Sequence, residues 1–446
     1  MGANRGGLYG RIAVTLIAPI AALGLARIPM PGVDFALLQK ALGIDPMLIG
    51  IGCLALRPFL SAALLVELLA LLIPRWRVLR LGGYAERDRL WTRVVVIALV
   101  LALLQAFFMA RWLIGTAHAF ATYAEIIPGD RHGFFWIATQ MLSIGAGTFL
   151  IYWLARLVDR YGAGNGFAVM IVAFMVEEMG PQLVSSVQKH VGDPILVHVG
   201  LAAVAVAVVA RLASGRPLKA SAQPPGGETL PTPASGLQPI VTGAAVVALP
   251  VSISKFAEFP LPEALTPGTW MNRILEAAII GALCLLATWL FNRPRLIAQA
   301  WKRGGPTDAA SASPTDRVRA AFARSLALAL AICWVVMAVE WFCADADLAI
   351  SVVSLTVIAC VVVDVAAEIG FRHRHGALIP LRPVHRLFML PVLLKALETA
   401  GIPAFARGRR YRTLWNFVAP FVPVDILVPA AHAGAAEAIV RVRTSS

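Results

Sequence analysis

Ten apolar runs set the strongest constraint on this chain, at roughly 12–28, 58–74, 94–114, 134–158, 166–184, 195–212, 238–256, 273–292, 322–343 and 348–369. Each is long enough to cross about 30 Å of hydrocarbon. A segment in lipid must satisfy its own backbone hydrogen bonds, so the runs are expected as helices of a polytopic all-α membrane protein. Composition agrees: 59% of the 446 residues are hydrophobic and 14% charged, against about 25% charged in soluble domains. The first run has a short basic prelude, as a signal peptide would. Pro29, Pro31 and Asp34 follow it without a small-residue cleavage site, so it is expected as a retained first span.

The net charge of +14 could point to nucleic acid, but its placement points to membrane topology. With the N-terminus inside, most Lys and Arg fall in 1–11, 75–93, 156–160, 211–219, 293–324 and 372–443, while Asp34, Asp45, Glu125, Asp130, Glu177, Glu178, Asp193, Glu258, Glu263, Asp345 and Asp347 fall on the other side. With Lys and Arg in excess on the cytoplasmic side, both termini are expected in the cytoplasm. The five cysteines form no CxxC pair and sit in or beside apolar runs, which suits small buried hydrophobes. No HExxH, nucleophile elbow or P-loop is present. His118, His132 and His198 are scattered. The chain is therefore expected to carry no catalytic residue, metal site or cofactor.

Two stretches organise the rest. Gln140–Phe174 reads as an apolar helix ending at Arg156, Asp159 and Arg160, a tight Gly162-Ala163-Gly164-Asn165-Gly166 turn, and a second apolar helix. Glycine and asparagine at that density supply the positive φ values of a two- to three-residue reversal. Ile28–Pro74 is longer than one crossing needs. Its first half is short and glycine-broken, and Pro58 then starts a proper helix, so that first half is expected to be a re-entrant or plug-like piece. Irregular backbone at membrane depth is tolerated only where protein or a water-filled cavity surrounds it. Passage or binding is implied. The Pro-, Gly- and Ser-rich segments 213–237 and 304–316 read as flexible linkers.

Past the last run the pattern changes to strand (377–387), helix (391–400), a Gly401 stop, strand (403–410), strand (424–428) and helix (430–441). That order suits a small cytoplasmic α+β domain over 376–446. Over about sixty residues it is similar to small regulatory-type domains of bacteria. Arg407, Arg409, Arg410 and Arg412 could bind anionic lipid or RNA as a basic surface, or form a merely solvated basic hairpin.

Four pieces in order resemble the SecY protein-translocase channel family: Ile28-Pro29-Met30-Pro31-Gly32-Val33-Asp34; Arg57-Pro58-Phe59-Leu60-Ser61-Ala62 through Glu67-Leu68-Leu69 to Ile73-Pro74; Leu103-Leu104-Gln105-Ala106; and Gly147-Thr148 to Gly164-Asn165-Gly166. Weaker matches follow at Phe291-Asn292-Arg293-Pro294 and Ser354 to Asp364. The resemblance covers about 1–370 and implies two five-helix halves around a pore, here 1–191 and 192–370, opening laterally toward lipid. It implies a protein-conducting channel that moves unfolded secretory chains across the membrane and apolar segments sideways into it. An aliphatic ring makes a deformable seal without hydrogen-bond partners for ions. By position that ring is Leu56, Leu60, Ile171, Met175, a residue near Ala248, and Val357, the small Ala248 leaving the register there open by one or two residues. Ser61, Glu67 and Val247 fall at the lateral gate. Glu67 stands where the family usually has a neutral polar residue; a gate role and a solvated or hydrogen-bonded role both stay open. Arg57 would project into the funnel or pack on plug carbonyls.

The resemblance also implies partners: a SecE-like single-span subunit, a SecG-like subunit as a further candidate, and membrane lipids. Whether the SecA motor or the ribosome docks stays open, because the loops 213–237 and 293–322 lack the family's basic docking motifs, with Gly304-Gly305-Pro306 in place of its usual signature. The run at 238–256 also lacks the usual early asparagine and proline, Pro250 coming later. A divergent, specialised paralogue is expected. Two other readings remain, a non-conducting scaffold of the same fold and a secondary transporter. The latter would place paired charges in corresponding helices, whereas Glu67 has no evident counterpart in the second half.

Overall fold

A computed structural model describes residues 3–42, 49–81, 84–119, 133–189, 195–213, 236–257, 262, 265–266, 268–291, 314–346, 348, 350–381, 383–385, 387–415 and 424–444. The linkers expected within 213–237 and 304–316 fall largely outside these residues, as do 43–48 of the plug-like piece and Asn292-Arg293-Pro294. The chain divides into two compact units, one of residues 1–175 with 368–373 and one of 176–367 with 374–446.

The first unit contains α1 (Ala3–Ala26), α2 (Phe35–Leu42), α3 (Arg57–Leu72), α4 (Pro74–Leu81), α5 (Tyr84–Ala119), α6 (Phe134–Tyr161) and the first part of α7 (Gly166–Lys189). The second contains the rest of α7, α8 (Ile195–Ala213), α9 (Gln238–Ala257), α10 (Trp270–Phe291), α11 (Pro314–Asp345) and most of α12 (Val352–His375). Among the described residues seven helices are long and apolar enough to cross a membrane, or eight when the bent pair α3–α4 is counted as one span. Val197–Ala213 and Gln238–Ala248 are shorter apolar helices on two more of the ten expected runs.

Proline punctuates α3 at both ends. Pro58 sits in its first turn, where a missing N–H costs no helical bond. Ile73, ahead of Pro74, is extended at φ −85° and ψ 114°. The chain turns by 115° there and continues as α4.

Among the described residues between α1 and α3 the one helix is the eight-residue α2, too short to cross a membrane. Pro29 bridges Gly50, Ile51 N donates to Ile28 O at 3.0 Å, and Gln140 Nε2 on α6 donates to Pro31 O at 2.6 Å. Met30, Val33, Leu38 and Ile49 pack in one apolar cluster with Ala106, Ala110, Leu113 and Ile114 of α5 and Trp136 and Ile144 of α6. Two glycines permit the fit. A Cβ on Gly50 would lie 1.7 Å from Ala26 O, and one on Gly147 would lie 2.1 Å from Ile51 O.

The α6–α7 reversal forms as the glycine density predicts. Gly164 takes φ +85°, Gly166 N donates to Asp159 Oδ1 at 2.7 Å, and Asn165 Oδ1 accepts from Ala168 N at 3.0 Å as a cap on α7. Thr15 of α1 accepts from Ala163 N at 2.7 Å, Arg11 donates to Gly162 O at 3.0 Å, and Gly164 N donates to Glu368 Oε2 at 2.8 Å. Glu368 is fully buried and also paired with Arg372 one turn on. The turn is thus held from α1 and from the end of α12.

The tail is a folded α+β domain. Strands β1 (Leu378–Pro380), β2 (Phe405–Arg407) and β3 (Asp425–Pro429) form an antiparallel sheet in the order β1-β3-β2. Helices α13 (Leu390–Thr399) and α15 (Ala433–Thr444) pack on it through Leu390, Leu393, Leu397, Ala436 and Val440 against Ile426 and Val428. Two strands are shorter than the sequence suggests. The expected strand at 403–410 ends at Arg407, because Gly408 turns left-handed at φ +71° and starts α14 (Arg409–Leu414). The expected strand at 377–387 ends at Pro380.

Candidate functional site

On α3, Leu56 precedes the first turn and Leu60 lies one turn on, with Leu60 N donating to Leu56 O at 3.2 Å. Leu56 is buried and Leu60 half-buried. Between them Phe59 stacks on Tyr152 of α6, ring centroids 4.5 Å apart, with Phe149 and Phe167 also against it. This aromatic packing fixes the start of α3 against α6 and α7, offset and tilted ring pairs being favourable beyond their area. Ile171 and Met175 share one face of α7, one turn apart, and both are half-buried. In the second unit Val357 of α12 is fully buried and Val247 of α9 is buried, while Ala248 is exposed. Ser61 and Arg57 are exposed on α3.

Glu67 is not solvated. It is 1% exposed, with Oε2 taking Arg80 Nε at 2.5 Å and Oε1 taking Arg87 Nη1 at 2.6 Å. Arg80 comes from α4 and Arg87 from the start of α5. The bend at Pro74 is what brings α4 back within reach. Arg93, a turn and a half further along α5, lies over the Trp76 ring at 4.5 Å. The acid therefore ties α3, α4 and α5 together by charge-assisted bonds. The sequence signal for this triad is the spacing of Arg80 and Arg87 past an in-span acid.

Two of the four tail arginines are not solvated either. Arg407 and Arg412 are buried, at 5% and 3% exposure. Arg407 Nη1 lies 3.8 Å from Asp425 Oδ2, and Arg412 Nη2 donates to His385 O at 3.0 Å. Arg410 donates from Nη1 to Asp364 Oδ1 at 2.6 Å and from its backbone N to Oδ2 at 3.0 Å. Arg409 is largely covered, and burial followed by the neighbouring Arg410 charge holds its guanidinium below the ordinary value. Burial likewise pushes the Tyr411 phenol up. Arg407, Arg410 and Arg412 thus make contacts within the chain, while Arg409 and Arg410 stay partly exposed. Asp364 and Arg410 are 46 residues apart, so no local pattern could have paired them. Among the described residues no group of three His, Cys, Asp or Glu could hold a metal ion.

The architecture is that of a polytopic helical membrane protein in which an irregular, glycine-seated stretch packs among helices long enough to cross a membrane, with a folded α+β domain in its second unit. Comparison places it more closely. The family model described as SecY matches residues 51–366, more than half of the chain, and the chain belongs to the SecY family. It is 26% identical to the protein translocase subunit SecY of Thermus thermophilus over 344 residues, covering 67% of this chain and 76% of the relative. It is 25% identical to those of Synechococcus elongatus, covering 68% and 76%, and of Pseudomonas aeruginosa, covering 67% and 74%. One solved structure, described as a SecY protein whose plug domain stabilizes the closed state of the translocation channel and maintains a membrane seal, aligns over 82% of this chain and 92% of that one. Its TM-score is 0.50 at 12% identity, a likeness of fold alone.

Proposed function

We propose that this chain is a protein-conducting channel subunit, moving unfolded polypeptides across a cytoplasmic membrane and apolar segments sideways into it, for a specialised set of substrates. The observation that carries the reading is the irregular backbone of 28–34 and 49–56 on either side of the short α2. Non-helical backbone persists among membrane-crossing helices only where protein or water surrounds it, and here it is seated on Gly50 and Gly147 against α1 and α6. Family membership supports the same conclusion.

In this reading the aliphatic seal that the family resemblance implies is Leu56, Leu60, Ile171, Met175, a residue near Ala248, and Val357. Such side chains give ions no hydrogen-bond partner and yield to a passing chain. Residues 35–53 act as the plug. Ser61 and Val247 line the lateral exit, and Glu67 stiffens the helix beside it through Arg80 and Arg87. Both termini are cytoplasmic. A SecE-like single-span subunit joins the channel, and a partner supplies the driving energy.

The test is reconstitution of the full chain, with whatever single-span subunit co-purifies, into lipid vesicles given an unfolded presecretory polypeptide and an energised cell extract. Protease-protected polypeptide inside the vesicles supports the reading. Vesicles that hold correctly folded chain and protect none contradict it, and favour a scaffold of the same fold.

A further inference from the structure

The tail domain has its own core, yet α14 is not part of it. Tyr411, Arg412, Thr413 and Leu414 are all buried, but none belongs to the cluster that α13 and α15 make with the sheet. The sheet tells the same story. Ile426 and Val428 of β3 face that cluster, while Leu427 between them, which points to the opposite face, is also fully buried. A three-stranded sheet covered by helices on one side ordinarily leaves its other side to solvent. Here both sides are covered.

Within the second unit α14 reaches three elements. It lies against α8. Its last carbonyl, Leu414 O, accepts from Leu237 N at 2.9 Å, the residue ahead of α9. Gly236 backs onto that same carbonyl so closely that a Cβ would come within 2.0 Å, and it takes φ +65° to do so. At its other end Arg410 grips Asp364 of α12 by a backbone and a side-chain bond, and Asp364 is 4% exposed. One helix of six residues therefore spans from α12 to the entry of α9.

We infer that residues 376–446 act as an intramolecular clamp on α9: α14 fixes the entry of α9 relative to α8 and α12, and α9 changes its arrangement only when α14 leaves. The inference concerns this contact and does not require that the chain conduct polypeptide. Two features make the seat specific. The Leu237–Leu414 bond uses a backbone donor just ahead of a helix, one of the groups a helix cannot satisfy itself. The Arg410–Asp364 bond is charge-assisted and largely shielded from water, so it has direction and strength.

The experiment is amide hydrogen exchange read by mass spectrometry on the full chain in lipid nanodiscs. The variants are Arg410→Asp, the exchange Arg410→Asp with Asp364→Arg, and Gly236→Val, which disturbs the seat from the α9 side. The expected result is at least tenfold faster exchange from Leu237 through the first turns of α9 in Arg410→Asp and in Gly236→Val. In both, α13 and α15 keep wild-type protection, and in the charge exchange α9 recovers. Faster exchange confined to 408–415, with α9 unchanged in both single variants, overturns the clamp. Loss of protection in α13 and α15 with α9 unchanged overturns it equally, since the tail would then be folded on a seat that α9 ignores. Should Asp364→Arg not accumulate, Arg410→Gln removes the charge without touching α12 and is judged by the same two outcomes.

Discussion

Glu67 shows how one side chain can fix a stretch of membrane protein. Its carboxylate is buried between Arg80 and Arg87, where desolvation is offset only because both oxygens have a cationic donor. Removing the acid leaves two buried guanidinium groups without it. Glu67→Ala is expected to destabilise the first unit by about 3–5 kcal/mol, seen as a lowered midpoint in detergent thermal unfolding, with Glu67→Gln milder. A midpoint unchanged in both variants contradicts the triad's structural role. Gly50 makes a sterically harder prediction. Gly50→Ala puts a methyl within 1.7 Å of Ala26 O, backbone that cannot swing aside, whereas Gly115→Ala meets nothing within 4 Å. Gly50→Ala should yield little folded protein by fluorescence-detected size exclusion and Gly115→Ala the normal amount; equal yields refute the seating of this stretch.

Among elements, the helices were legible because length and hydropathy define them without reference to the rest of the fold. The turn of Gly162–Gly166 was legible for a local reason too, its φ requirement. The α14 helix was not. Six residues carry no helical period, and Arg407 to Arg410 read equally well as a strand end until Gly408 is seen at φ +71°. The 115° bend at Pro74 was half legible: proline marks the break, but the direction that returns Arg80 to Glu67 is set by tertiary packing. The tail domain stands on a small cluster, so its core is exposed to a test. Leu393→Ala, at a fully buried site on α13, is expected to cost about 2–5 kcal/mol. Exchange should then accelerate in α13, α15 and β3 while α5 and α6 keep theirs. Uniform acceleration across α5 and α6 would show that the tail does not fold as a distinct part.

At the scale of the whole molecule, fold class and family could be read from the order of the apolar runs and the Pro58, Gly147 and Gly164–Gly166 landmarks. The role of the basic tail could not, because burial of Arg407 and Arg412 depends on partners distant in sequence. In a conducting channel of this kind the polypeptide passes Leu60. The most direct measurement places a photocrosslinking residue at Leu60, at Ile171 and at Leu72, which is 74% exposed on the far end of α3, and arrests a secretory chain in transit in living cells. Adducts with the arrested chain are expected from Leu60 and Ile171 and none from Leu72. Adducts from none of the three, with the protein folded and in the membrane, or equal adducts from all, would contradict it.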